Sequence, residues 1–184
     1  MSNFLISHKV WDDPVYLSGD YMIYFIITLA LFIFDQSTKL LTLKLLDTEE
    51  SFVFIENFLS FTHRHNTGGP WSIFDGNIAF FIAVTFIIIG FAAFYLIKHP
   101  LKDKTAKLSV ALIGSGAFGN LVDRIFRGYV VDMIEVTFID YPVFNFADCC
   151  IVVGCIIMCV YVVFMYKEPE KKENNSEDNS NGKI

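Results

Sequence analysis

Residues 78–97 read IAFFIAVTFIIIGFAAFYLI, a stretch with no Asp, Glu, Lys or Arg. A helix needs about 20 apolar residues to cross the hydrocarbon core of a bilayer. The stretch therefore predicts a transmembrane helix and places the chain among membrane proteins. The composition agrees, because 54% of the 184 residues are hydrophobic and only 18% are charged, against about 25% in soluble domains. The net charge of −6 disfavours a nucleic-acid partner.

Three more segments are apolar enough to cross a bilayer, at about 21–42, 106–122 and 143–166. The middle one is the least apolar and contains three glycines, which suit close packing between membrane helices. We predict an all-α membrane fold with four transmembrane helices, forming a single integral domain over residues 1–166. The polar, Asn-rich residues 167–184 are expected to be a disordered cytoplasmic tail.

The distribution of Lys and Arg predicts the orientation. Nine of these residues lie in the N-terminal segment, the loop after the second span and the C-terminal tail, and four lie on the other side. The positive-inside rule makes the richer side cytoplasmic. Both termini should therefore be cytoplasmic, and the loops 47–77 and 123–142 should face outward.

The outward loops contain segments typical of β-strands. Residues 52–55, 58–62 and 129–139 are rich in aromatic and β-branched side chains. We expect a small β platform on the outer membrane surface.

Polar side chains gather at the outer ends of the spans, where each needs an explanation. An ionisable group at bilayer depth costs about 2.5–3.5 kcal/mol on insertion scales. Two more polar residues lie in the outer loops, so all of them converge near one interface and predict an outward-facing site. The set is Asp35, Lys39, Asn66, Asn120, Asp123, Arg124, Asp132 and Asp148.

Several of these residues also have an ordinary structural interpretation. Asp35 and Lys39 are four apart and can form a salt bridge on one helix face. Asp123 and Arg124 can form a loop ion pair near lipid headgroups. Asn66 precedes a Gly-Gly-Pro turn and can be a turn residue.

Asp132 and Asp148 are harder to explain structurally. Asp132 interrupts an apolar β-type run, and Asp148 is the only charged residue between Asp140 and Lys167. If the two carboxyl groups meet, they will share a proton, because like charges at close range resist joint ionisation. Such a pair suits acid–base hydrolysis. Intramembrane acids are also typical of small proton or ion transporters, and a non-catalytic assembly factor is a third possibility.

Cysteine and histidine give no sign of a cofactor. All four cysteines lie in one apolar stretch and have no His at zinc-ligand spacing. His63 and His65 alternate on a predicted strand and share a face. A metal there would need a carboxylate from elsewhere in the chain, so we expect no metal and no cofactor.

Five blocks of sequence, in order along the chain, resemble the lipoprotein signal peptidase family, also called signal peptidase II (aspartic peptidase family A8). The blocks are DQSTK (35–39), NTGGPWSIF (66–74), GNLVDR (119–124), GYVVDMIEV (128–136) and FNFAD (144–148). The resemblance implies four transmembrane helices with an extracytoplasmic β platform, in the bacterial inner membrane. It also implies that Asp132 and Asp148 are the catalytic aspartates.

The resemblance implies the substrate as well. The family removes the signal peptide of diacylglyceryl-modified prolipoproteins, cleaving before the lipidated cysteine, and is inhibited by globomycin-type cyclic peptides. We expect contacts with membrane lipids and action as a monomer. Substrate-binding or site-supporting positions of the family correspond here to Asp35, Lys39, Asn66, Gly68, Asn120, Asp123, Arg124, Asn145 and Ala147.

Two departures from the family pattern fall beside the expected substrate groove. Gly69-Pro70-Trp71 stands where the family usually has Ala-Ala-Phe, and Met133 stands where Phe is usual. They bear on fine substrate contacts and leave the aspartates untouched. In the implied mechanism one aspartate activates a water and the other donates to the scissile carbonyl; the sequence does not decide which does which. Asn66 and Arg124 are expected to hold substrate backbone or the platform.

Overall fold

The computed structural model describes residues 19–165. The N-terminal segment and the predicted tail at 167–184 lie outside the described residues. The helices are α1 (Gly19–Leu45), α2 (Ile78–Lys98), α3 (Lys104–Phe126) and α4 (Phe146–Val160), the last continued by a π-helical turn, Tyr161–Met165. The strands are β1 (Ser51–Ile55), β2 (Leu59–Asn66) and β3 (Val130–Val136).

Four helices of the described chain are long and apolar enough to cross a membrane. The prediction of four spans with a small β element is therefore confirmed. The fourth helix begins at Phe146, three residues after the predicted start, because Asn145 caps it. The third continues to Phe126, so Asp123 and Arg124 belong to its last turns rather than to a loop.

Helix α3 is the centre of the bundle and packs between α1 and α4. Half of its membrane window is buried inside the protein, against 11% or less in the other three helices. A Cβ on Gly116 would come within 2.2 Å of the Ala147 carbonyl oxygen, so only glycine permits this approach to α4. Protein rather than lipid surrounds α3, which explains its low apolar content.

Helix α2 lies at the periphery of the bundle. It has no buried residue and contacts chiefly α3. Its uniformly apolar surface suits direct exposure to lipid tails.

The three strands form an antiparallel sheet in the order β1-β2-β3. Strand β2 continues beyond the predicted residue 62 as far as Asn66, and β3 stops at Val136. In the β2–β3 register Arg64 pairs with Asp132 and Asn66 with Val130, after an irregularity between Phe61 and Arg64. The sheet thereby brings Asn66 beside β3.

Candidate active site

A buried charge cluster, formed by Asp35, Lys39, Asp123 and Arg127, joins α1 to α3. The Lys39 Nζ atom lies 2.9 Å from Asp35 Oδ2 and 2.9 Å from Asp123 Oδ2. The Asp35–Lys39 salt bridge expected from their spacing is therefore confirmed. Arg127 also pairs with Asp123. Two cations thus balance two carboxylates, as buried ionic groups require.

The alternative of a loop ion pair between Asp123 and Arg124 is wrong. Asp123 is fully buried and faces α1, where its partner is Lys39. Arg124 points to the loop after β2, where it donates to the Gly68 carbonyl at 3.0 Å, and it stacks over Phe81 of α2, 4.8 Å from the ring centroid. Successive residues of a helix face different directions, which separates the two side chains.

The charge cluster also fixes the start of α4. Asp35 Oδ1 accepts from the Ala147 backbone N–H at 2.9 Å. A Cβ on Gly119 would lie 2.6 Å from Asp35 Oδ2, so glycine is needed for α1 and α3 to approach here. Lys39 also donates to Asn120 Oδ1 at 3.0 Å, which connects the cluster to the residues around Asp148.

Asp148 is held at the N-terminus of α4 by a reciprocal capping box. The Asn145 side-chain oxygen accepts from the Asp148 backbone N–H at 3.0 Å, and Asp148 Oδ2 accepts from the Asn145 backbone N–H at 3.1 Å. Asp148 Oδ1 accepts from the Asn120 side-chain amide at 2.8 Å. These donors and the positive end of the helix dipole offset negative charge on this carboxylate.

Asp132 projects from β3 and is 3% exposed. Its Oδ1 accepts from the Asn145 side-chain amide at 2.7 Å, and its Oδ2 accepts from the Asn66 side-chain amide at 2.8 Å. Asn66 is itself fixed, because its Oδ1 accepts from the Gly68 backbone N–H at 2.9 Å. The turn interpretation of Asn66 is thus confirmed, and the same side chain also contacts Asp132.

Asn145 connects the two aspartates, since it bonds to Asp132 through its side chain and to Asp148 through its backbone N–H. Both aspartates line one cavity of about 250 Å³, together with Asn66, Asn120 and Arg124. Burial, and then the neighbouring charge of Asp148, raise the pKa of Asp132 to about 7. A pair with these properties can hold one proton near neutral pH, as acid–base chemistry requires.

A second, more polar cavity of about 340 Å³ adjoins the first on the side away from α3 and α4, and Asp132 borders both. We call the second cavity the outer cavity and the first the inner cavity. Gly69 and Pro70 line both cavities and Trp71 lines the outer one, so this departure from the family pattern does border the site. Met133 does not. It lines a separate apolar groove with residues such as Leu41 and Phe52, on the α1 side of the sheet.

All nine predicted supporting residues therefore gather around the aspartates, directly or through the charge cluster. Gln36 and Arg127 join this network although they were not among the predicted site residues. Gln36 donates to both Asp35 and Asp123, at 3.1 and 3.2 Å, and accepts from Arg127 at 3.0 Å. Two signals were present in the sequence, because Gln36 follows Asp35 directly and Arg127 lies one helical turn after Asp123.

Fold and site together define a four-helix membrane protein with a paired-carboxyl cavity at one end. Two solved structures, both titled bacterial membrane enzymes determined by the in meso method, share this fold. The one at 2.3 Å resolution has a TM-score of 0.74 and 32% identity over 82% of this chain and 94% of its own. The one at 1.9 Å resolution has a TM-score of 0.71 and 31% identity over 78% of this chain and 94% of its own.

Sequence comparison gives the family. Residues 27–164 match the model of Peptidase A8, signal peptidase (SPase) II. Proteins named lipoprotein signal peptidase are similar along most of their length. The Enterococcus faecalis protein is 36% identical over 158 residues, covering 86% of this chain and 97% of its own, and the Clostridium acetobutylicum protein 40% over 132 residues, covering 70% and 86%.

The class is thus that of the membrane-integrated peptidases. Within it, the chain belongs to the signal peptidase II family. This membership confirms the resemblance seen in the sequence blocks, and no comparison supports the transporter alternative.

Proposed function

We propose that the chain is an aspartic endopeptidase that removes signal peptides from diacylglyceryl-modified prolipoproteins, cutting before the lipidated cysteine. Its catalytic residues are Asp132 and Asp148. The observation that carries this proposal is the bonding of Asn145 to both aspartates in a shared cavity. The names of the relatives support the substrate class.

The two aspartates take different parts in the reaction. Ionised Asp148 removes a proton from a water, whose oxygen attacks the scissile carbonyl carbon. Protonated Asp132 gives its proton to the carbonyl oxygen, which stabilises the tetrahedral intermediate. The intermediate collapses as Asp148 passes its proton to the leaving amine and Asp132 takes a proton back from one of the two hydroxyl groups. One water is consumed, one peptide bond breaks, and both aspartates return to their starting forms. The raised pKa of Asp132 supports this division of roles.

The position of the cavities suits a substrate held in the membrane. The inner cavity has apolar walls from Ile151 and Val152 of α4, whereas the outer one is mostly polar. The apolar signal peptide enters along the inner cavity, and the start of the mature protein leaves through the outer one. Trp71 and Phe74 are exposed on the loop beside the outer cavity and cover the lipidated segment.

The site faces outward from the bacterial cytoplasmic membrane, and both termini are cytoplasmic. Supporting this, the turn between α2 and α3 carries Lys98, Lys102 and Lys104 at the end of the bundle opposite the sheet. Reporter fusions test it: alkaline phosphatase joined after residue 76 will be active, and joined after Lys102 inactive. The reverse pattern would contradict the orientation.

The deciding experiment is cleavage of a lipidated precursor by the full chain purified in detergent. Asp132→Asn and Asp148→Asn will each lower the rate at least about 100-fold while still entering the membrane. Glu56→Gln, a matched change at an exposed acid of the β1–β2 turn, will keep the wild-type rate. Full turnover by either aspartate variant would refute the catalytic pair.

Two further assays test the substrate and the inhibitor class. A precursor whose lipidated cysteine is replaced by serine will not be cut, and equal cleavage of it would refute lipid dependence. A globomycin-type cyclic peptide will inhibit, and unchanged activity at saturating peptide would contradict this part of the proposal.

A third assay tests metal dependence. Activity will persist in EDTA, because the carboxyl pair needs no metal. Loss of activity that zinc restores would favour a metallopeptidase.

A further inference from the structure

A pair of histidines on the sheet lies beside the outer cavity, which His65 lines. His63 and His65 are both on β2, and their Nε2 atoms lie 3.0 Å apart. His63 is buried and His65 is exposed. The pair can therefore be reached from solvent through His65.

The protonation of the pair follows from its contacts. His63 Nδ1 lies 2.9 Å from the Leu46 carbonyl oxygen, which can only accept, so Nδ1 carries the hydrogen. In neutral His63 the Nε2 atom then presents a lone pair, and His65 Nε2 donates to it.

The separation of the two nitrogens matches that of two ligands on one metal ion. Metal–imidazole bonds of about 2.0–2.1 Å put adjacent ligand nitrogens about 2.9–3.4 Å apart, for angles between square and tetrahedral. A ligating histidine usually donates its other N–H to a carbonyl or carboxylate, as His63 does to Leu46. His65 is also fixed, since its ring stacks on Tyr129 at a centroid distance of 3.7 Å.

We propose that His63 and His65 chelate one divalent transition-metal ion, of the zinc or copper(II) type, through their Nε2 atoms on the outer face of the sheet. Metal binding removes the hydrogen between the two Nε2 atoms, because the His65 proton moves to Nδ1, and the ion lies to one side of the line that joins the two nitrogens. Imidazole is a preferred ligand of these ions. The proposal is independent of the aspartic mechanism.

Water fills the other positions on the ion, and Glu49 is available beside it because it lines the same cavity as His65. No group of three or more His, Cys, Asp or Glu side chains is arranged to hold a metal within residues 19–165. The Glu49 backbone N–H nevertheless donates to the His63 carbonyl at 2.8 Å, and its carboxylate pairs with Arg64. Both members of that ion pair are about half exposed, so exchanging Arg64 for a metal ion costs little.

The test is binding of the metal alone to the full chain, purified in detergent without a polyhistidine tag. Copper(II) will bind one ion per chain, with an electron paramagnetic resonance spectrum showing two imidazole nitrogens. Titration calorimetry with zinc will give the same stoichiometry. His65→Gln will weaken binding at least about tenfold, and His99→Gln, at the end of α2, will leave it unchanged.

Two outcomes would overturn the site. One is equal affinity of His65→Gln and the wild type, and the other is a copper spectrum without nitrogen coupling. Because His65 is exposed, its variant will fold even if the buried His63→Gln does not. Metal binding by Asp148→Asn, which lacks one of the proposed catalytic carboxyl groups, will match the wild type, which separates this site from the proposed aspartic reaction.

Discussion

Asn145 donates its side-chain amide to Asp132 across 2.7 Å, while its side-chain oxygen caps the helix that starts at Phe146. One side chain thus positions a carboxyl group and begins a membrane helix. The two roles can be separated by substitution. Serine caps a helix well, but its side chain is too short to replace the hydrogen bond from the Asn145 amide to Asp132.

We predict that Asn145→Ser keeps the thermal stability of the wild type within a few degrees but lowers kcat at least about 100-fold. Asn145→Ala will also lose about 1 kcal/mol of stability, because it removes the cap. Thermal unfolding and precursor cleavage measure the two effects. Wild-type kcat in the serine variant would show that Asn145 acts only as a cap.

The proposed roles predict a loss of activity above neutral pH. Burial and the charge of Asp148 raise the pKa of Asp132 to about 7, so raising the pH through 7 removes the proton that it must donate. The value of kcat/KM, which reports the free enzyme, will fall about tenfold per pH unit above that point. The pair titrates as a unit, so the inflection belongs to both groups. A flat profile between pH 6 and pH 9 would contradict this assignment.

The same shift predicts how stability depends on pH. Because the folded pKa of Asp132 lies above the ordinary value of 3.8, the folded state binds more protons than the unfolded state between pH 4 and pH 7. Stability from this group is therefore present at low pH and is lost as the pH rises toward 7. We expect the fall in Tm between pH 5 and pH 8 to be smaller in Asp132→Asn than in wild type. Identical slopes would mean that Asp132 titrates normally.

Replacing Lys39 is expected to have a large effect on the stability of the fold. Its removal leaves Asp35 and Asp123 as buried carboxylates facing each other, and breaking a buried ion pair on one side costs about 3–5 kcal/mol. Lys39→Met will therefore lower the yield of folded protein and the Tm sharply. Lys44→Met, an exposed lysine of the same helix, is the matched control and will behave as wild type. Equal stability of the two variants would count against the buried cluster.

Two glycines of α3 make a second matched pair. Gly119→Ala will destabilise by about 1–3 kcal/mol through overpacking, because the new Cβ would meet Asp35 Oδ2 at 2.6 Å. Gly114 has no atom within 4 Å of that position, so Gly114→Ala will be neutral or stabilising by up to about 1 kcal/mol. Thermal unfolding of both variants measures the difference, and equal effects would argue against the tight α1–α3 approach.

The sequence predicted those parts of the fold that depend on local pattern. Apolar runs long enough to span a bilayer gave the four helices, and the spacing of four gave the Asp35–Lys39 bridge. The Lys39–Asp123 bridge was not predicted, because its partners are far apart along the chain and only the packing of α1 on α3 brings them together. The low apolar content of α3 reflects burial in protein, which a hydropathy pattern cannot distinguish from a weak membrane span.

The candidate site shows the same division between what local sequence pattern predicts and what only long-range packing determines. The sequence blocks identified Asp132 and Asp148 through resemblance, but neither residue's surroundings could be read from its own segment. The start of α4 was predictable in principle, since Asn145 and Asp148 stand at capping-box spacing. The different directions of the Asp123 and Arg124 side chains were not predicted, because the predicted helix ended at residue 122 and placed both residues in a loop.

The capping box of α4 has a consequence for drug resistance. A mutation that evades an inhibitor must weaken inhibitor binding and still yield a working protein. Asn145 and Asp148 secure the first turn of a membrane helix as well as the carboxyl pair, so an exchange of either one weakens the helix start, the carboxyl pair or both. A compound anchored on these two residues would therefore leave few substitutions that both evade it and keep the protein working.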